Sequence, residues 1–249
     1  MTKNNGTRRT VILFKQEDSN LAPTIYLEEF YQKYLKGQQV PDLADSICSI
    51  YQEIRVKKTC DCQNLFDFNH VKEHIVYKLI RRDANEELLK QIPYEPFLDL
   101  AVVYYIQIDN TRFGSAAIQI RNEHLRYWCV EKEEIRRLAE KNTPRIYPVQ
   151  IRQIVRFMYV ATNEQCSLGA AVMRYPDFRE KVRGMIRGDF YILPSSIHEV
   201  ILVPESFGLE PERMQEMVKE INQTGVAPEE VLSDSVYYFD GEEIRIVAK

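Results

Sequence analysis

Phe97-Leu98-Asp99-Leu100-Ala101-Val102-Val103-Tyr104-Tyr105-Ile106-Gln107-Ile108 is a dense apolar run, rich in β-branched and aromatic residues. It reads as a central strand, with Ala116, Ile118 and Ile120 alternating on its neighbour. The chain before it keeps a helical period. Leu27, Phe30, Tyr31, Tyr34 and Leu35 fall at i, i+3, i+4, i+7 and i+8 after Pro23-Thr24, and Gly37 can take the left-handed stop. Leu43, Ile47, Ile50, Tyr51 and Ile54 repeat the pattern from Asp42, so the two predict a helical hairpin, preceded by a short strand at Thr10 to Phe14. Val71, Ile75, Leu79 and Ile80 predict a third helix, and Leu88, Leu89 and Ile92 a short fourth that Pro93 ends.

After the central strand, Ile135, Leu138 and Ala139 carry a helix, and Phe157 to Ala161 and Gly169 to Met173 read as strands. Phe178, Val182, Met185 and Ile186 form the next amphipathic stripe. Phe190 to Leu193 and Ile197 to Val203 suit two antiparallel strands joined through Pro194-Ser195-Ser196. A late helix at Met214, Met217, Val218 and Ile221 precedes a hairpin, Val236 to Phe239 and Glu243 to Val247, with Asp240-Gly241 as a type I′ turn. Strands come in adjacent pairs with helices between the pairs, which predicts an α+β fold. A mainly helical N-terminal subdomain (1–96) leads into a mainly antiparallel sheet with packed helices (97–249). No linker-like composition parts the two, so they also read as one continuous domain.

The 249 residues, 45% apolar and 28% charged, are enough to close a core and exclude a disordered or fibrous chain. No apolar run approaches the roughly 18–20 residues that cross a bilayer, and Val11 to Phe14 is too short for a signal-peptide core, so the expected location is the cytoplasm, with no membrane partner. Five Cys is an odd, sparse count and reads as reduced thiols. The net charge of -4 is unevenly placed: from Glu205 onward eleven acidic residues face four basic ones, giving -7, against +3 for the rest. That acidic segment offers either a clamp over basic stretches or a docking surface for a basic partner.

Several strings together resemble a known family: Pro23-Thr24-Ile25-Tyr26-Leu27, Phe97 to Val103, Asn122-Glu123-His124-Leu125 with Trp128, Met158-Tyr159-Val160 with Thr162-Asn163, Gly169-Ala170-Ala171, and above all Ile192-Leu193-Pro194-Ser195-Ser196-Ile197-His198-Glu199 continuing to Pro204. They are similar to the bacterial domain of unknown function numbered 5688, over nearly the whole chain. The resemblance implies a cytoplasmic protein of anaerobic Gram-positive bacteria, often met near mobile-element genes, and it implies no particular reaction.

Each chemical constellation lacks a group that its chemistry needs. Cys60, Cys62, His70 and His74 offer two thiolates and a His pair one helical turn apart, but the spacing departs from a zinc finger, so no metal is expected. Ser195, Ser196, His198 and Glu199 form a polar cluster in which 196 and 198 would share one side of a strand, without a third group to orient the imidazole or a visible oxyanion hole. Leu202 stands where a zincin needs its second His. Asp99 with Gln119-Ile120-Arg121 follows the order of a restriction-nuclease core, but Gln replaces the acid and Arg the Lys. No Gly-rich phosphate loop exists, and no cofactor is expected. Two basic stretches, 121–156 and 174–187, interleave with Tyr127, Trp128, Tyr147 and Tyr175, which makes Arg121, Arg126, Trp128, Arg136 and Arg137 candidate contacts to single-stranded nucleic acid. By subtraction the expected function leans away from catalysis. It is that of a non-enzymatic interaction or accessory protein with a protein partner, linked by the resemblance to mobile elements, and the alternative is nucleic-acid binding or processing.

Overall fold

The computed structural model describes residues 1–14, 24–54, 67–111 and 114–249. A small module comes first. Strand β1 (Val11–Leu13) pairs antiparallel with β2 (Thr24–Tyr26), and helices α1 (Glu28–Leu35) and α2 (Val40–Ile54) follow as the hairpin that the apolar spacing predicts. Gly37 takes the left-handed turn after α1 at φ 95°. Ile25, Phe30 and Leu43 form the module's buried core. The first residues fasten it to the rest of the chain. Asn4 and Asn5 donate through Nδ2 to the carbonyls of Glu229 and Val231, each at 2.7 Å, and Arg9 holds Glu229 Oε1 at 2.6 Å.

Helix α3 (Phe68–Val71) ends after one turn, and a tighter turn at Lys72–His74 leads into strand β3 (Ile75–Arg81). Here the expected third helix is corrected. Ile75, Val76, Tyr77, Leu79 and Ile80 are all buried, so the apolar set covers both faces of a strand, and the spacing of Val71, Ile75 and Leu79 only imitates a helical stripe. The β-branched pair Ile75-Val76 and the aromatic Tyr77 favour the pleated form. Helix α4 (Glu86–Leu89) precedes strands β4 (Tyr94–Phe97), β5 (Leu100–Thr111) and β6 (Gly114–Gln119). The central strand is β5, but it starts at Leu100. Phe97 ends β4, and Leu98 turns the chain at φ 57°. β3 runs along one side of β5, while β4 and β6 share the other, all antiparallel. This sheet therefore spans residue 97, and the helical description fits 28–54.

Helices α5 (Asn122–Trp128) and α6 (Lys132–Ile146) come next. An open strand edge carries unpaired backbone groups, and α6 satisfies two of those of β3. Asn142 Nδ2 donates to the carbonyl of Ile75 at 3.1 Å, and Thr143 Oγ1 accepts the N–H of Tyr77 at 3.0 Å.

The second large sheet is built from β7 (Val149–Val155), β8 (Met158–Asn163), β9 (Phe190–Leu193), β10 (Val200–Pro204), β11 (Val236–Phe239) and β12 (Ile244–Ala248), in the order β12-β11-β9-β10-β8-β7 with every pairing antiparallel. Helices α7 (Phe178–Arg183) and α8 (Pro211–Thr224) lie between its strands in sequence. Three expectations are corrected here. Gly169 to Met173 is a buried 3₁₀ turn, not a strand. β10 begins at Val200, because Ser196 to His198 bond elsewhere. The β11–β12 connection is four residues long with positive φ at Gly241 but not at Asp240, whose Oδ1 accepts the N–H groups of Glu242 and Glu243.

Both sheets close on one core. Tyr77, Leu79, Val102 and Tyr104 face Ala161, Ile192, Leu202, Tyr237 and Phe239, with Ala170, Ala171 and Val172 of the 3₁₀ turn among them. The other face of β3 and β5 is covered by Leu89 and Ile92, which explains the unbroken apolar run that reads as a central strand. The architecture is α+β. The acidic segment is no tail: β11 lies inside the sheet, and α8 packs Met214 and Val218 on Leu193 and Val203. Arg179 and Arg183 of the second basic stretch bond the carbonyls of Glu242 and Gly241, so these contacts run through backbone and not through carboxylates.

Candidate functional site

An apolar opening lies in the N-terminal module. Among the described residues, three buried side chains cover only part of what two amphipathic helices and a two-stranded ribbon present, and the remainder forms a groove of about 530 Å³ lined by Ile12, Phe30, Tyr31, Tyr34, Leu43 and Ile47. Tyr31 is 59% exposed, Tyr34 51% and Val40 61%. Glu28 is the charged residue of this lining. Its Oε1 accepts the N–H of Thr10 at 2.6 Å, while its Oε2 is buried without a hydrogen-bond partner among the described residues. The Thr10 N–H holds the Glu28 carboxyl below its ordinary value, so it is ionised at neutral pH.

The cluster at 195–199 is a fastener. His198 Nδ1 accepts the N–H of Leu168 at 3.2 Å, its Nε2 lies 3.4 Å from Glu230 Oε1, and its carbonyl accepts from Thr162 Oγ1 at 2.7 Å and from Gly169 N at 2.9 Å. Ser196 Oγ accepts the backbone N–H of His198, so the expected meeting of hydroxyl and imidazole on one face of a strand gives way to a local turn. Ser195 offers its carbonyl to the N–H of Leu232, and Glu199, next to His198 in sequence, is half-buried. Neither ring nitrogen meets a hydroxyl, so the arrangement lacks the nucleophile–base contact of a triad.

Asp99 sits in the β4–β5 turn, whereas Gln119 pairs with Tyr105 six residues along β5, roughly 20 Å away at a strand's rise. The nuclease-like set is therefore not assembled. Asp99 instead accepts from Ser233 Oγ at 2.6 Å, Ser235 Oγ at 2.9 Å and the Tyr237 hydroxyl at 2.5 Å, tying the first sheet to β11. Burial, with the Asp99 carboxylate next in weight, pushes the Tyr237 hydroxyl well above its ordinary pKa.

The model of the family of unknown function DUF5688 matches residues 1–158 and 155–241. The chain belongs to DUF5688. No curated protein and no solved structure matches it.

The remaining sequence candidates are dispersed in this DUF5688 chain. Trp128 is 9% exposed, packed against Phe68 and His124, and has no face to offer a base. Tyr147 and Tyr175 are buried as well. Arg136 pairs with Glu95 at 3.6 Å, Arg137 with Glu134 at 2.8 Å, and Arg121 Nη1 donates to Gln91; Arg126 is exposed. His70 and His74 are exposed on α3 and the turn after it, whereas Cys60 and Cys62 lie outside the described residues. Among the described residues no three His, Cys, Asp or Glu side chains gather to hold a metal ion. The groove was missed because Tyr31 and Tyr34 fit the core stripe of α1. A hairpin this short carries more apolar residues than its own core can bury, and that surplus was the available signal.

Proposed function

We propose that this DUF5688 chain is a non-catalytic cytoplasmic interaction protein that receives a partner protein in the groove between α1 and α2. The carrying observation is the groove itself, an apolar opening of about 530 Å³ with Tyr31 and Tyr34 more than half exposed. Sites of this size and character are typical of recognition, and helical segments commonly fill such grooves. The role of His198 and Asp99 as fasteners supports the non-catalytic reading, and no described helix is long and apolar enough to cross a membrane. A tie to mobile-element functions, which the family resemblance implies, belongs to the same proposal. Nucleic-acid binding is less well supported, because Trp128 is buried and Arg136 and Arg137 are paired. Affinity capture from the native host with wild type and with the double variant Tyr31→Glu/Tyr34→Glu tests the reading. One protein held by wild type and lost by the variant is the expected result; capture unaffected by the two substitutions removes the groove from the function.

A further inference from the structure

We infer that the outer edge of β7 takes an extended, acidic segment of a partner protein as a further strand of the second sheet. This surface is distinct from the groove, and the inference stands without it. β7 is an end strand: β8 is its neighbour on one side, and among the described residues no backbone hydrogen bond leaves it on the other. Val149 and Ile151 pack against the core, but Arg152 to Arg156 are exposed at every position. Side chains of a strand alternate between its faces, so a run exposed throughout has both faces clear of the body. Ile154 is 49% and Val155 58% exposed, apolar area that a flanking strand would cover. Free N–H and C=O groups along such an edge recognise extended backbone.

Charge selects which strand. The β7–β8 hairpin, Val149 to Asn163, contains Arg152 and Arg156 and no acidic residue. Neither arginine forms an ion pair among the described residues, and Arg156 lies over the Phe157 ring at 4.9 Å. Pairing with β7 of a second copy would gather four such arginines without a counter-charge, which opposes self-association. Glutamate or aspartate on an incoming strand gives each guanidinium a charge-assisted contact instead. The register irregularity between Gln153 and Val155 bends the strand and keeps the matched stretch short.

The test uses the full chain and fluorescently labelled peptides of about eight residues, alternating valine and threonine and alike except at two positions that hold glutamate, glutamine or lysine. Anisotropy titrations at low salt are expected to rank them in that order, with the glutamate peptide about tenfold tighter than the glutamine one. The double variant Arg152→Glu/Arg156→Glu, changed at exposed side chains, should invert the order and favour the lysine peptide. A glutamate peptide N-methylated at its central amides lacks the donors of an added strand and should bind about tenfold more weakly or not at all. The groove variant Tyr31→Glu/Tyr34→Glu should bind the glutamate peptide as wild type does. Equal binding of the glutamate and glutamine peptides, an order that the arginine variant leaves unchanged, full binding of the N-methylated copy, or loss in the tyrosine variant each overturns the inference. So does absence of binding by all three, a dimer that Ile154→Glu/Val155→Glu disperses, or preference for a single-stranded oligonucleotide over the glutamate peptide.

Discussion

The helical module and the sheets behind it use tyrosine in opposite ways. On and between the sheets, three tyrosines are buried with their hydroxyls placed: Tyr237 on Asp99 at 2.5 Å, Tyr147 on Gln107 at 2.5 Å, and Tyr175 on the carbonyl of Tyr147 at 2.9 Å, while Tyr104 of β5 is buried with its hydroxyl unpartnered among the described residues. In the module, Tyr31 and Tyr34 stack on each other with centroids 6.5 Å apart and face solvent across the groove. The first arrangement spends aromatic area on the folded state, because a buried hydroxyl without a partner costs about 1–3 kcal/mol and those three have partners. The second leaves apolar area uncovered, where it contributes little to folding and is available to binding. Stability is thus lodged in the sheets, and the recognition proposed for the groove in the module.

The strongest way to break this division is at Gly169. A Cβ there would stand 2.5 Å from the carbonyl of His198 and 2.8 Å from the amide of Asn163, both backbone atoms that cannot step aside. Gly169→Ala should cost about 3 kcal/mol or more, or prevent folding, as read by denaturant unfolding. Next comes Asp99→Ala, which strands the hydroxyls of Ser233, Ser235 and Tyr237; a loss of roughly 2–4 kcal/mol is expected, with Asp99→Asn losing less because it keeps an acceptor.

Lys78 sharpens the comparison from the other direction. It lies half-buried on β3 over the ring of Tyr105, without an ion pair among the described residues, and burial lowers its pKa. A lysine with a lowered folded pKa costs stability wherever it is charged in both states, and the cost fades as pH climbs from the folded value toward 10.5. Lys78→Met should therefore raise the melting temperature by a few degrees at neutral pH and flatten the gain in stability on the alkaline side. Smallest of all, Tyr31→Ser and Tyr34→Ser should each move stability by no more than about 0.5 kcal/mol. A large loss there would mean that the groove is part of the folding core after all.

The parts legible in the sequence were those where one face of an element is buried. The spacing of Leu27, Phe30 and Tyr34 gave α1, and that of Met214 and Val218 gave α8. Where both faces are buried, as in Ile75 to Ile80, no period survives to separate strand from helix. Gly169-Ala170-Ala171 looked like a strand because small residues carry no directional pattern; what they specify is a close backbone approach, which only the neighbours Thr162 and His198 reveal. The fastener roles of His198 and Asp99 were equally invisible, since their partners lie up to 138 residues away.

That separation also sets an order of events during synthesis. Asp99 leaves the ribosome long before Ser233, Ser235 and Tyr237 exist, and β9 emerges with a bare edge that only β11 will cover. The second sheet is thus finished by β11 and β12, so a nascent chain that stops short of Val236 leaves the Phe190 to Leu193 edge open to other chains. Truncated chains that end before the β11–β12 hairpin are therefore expected to self-associate more readily than the full chain.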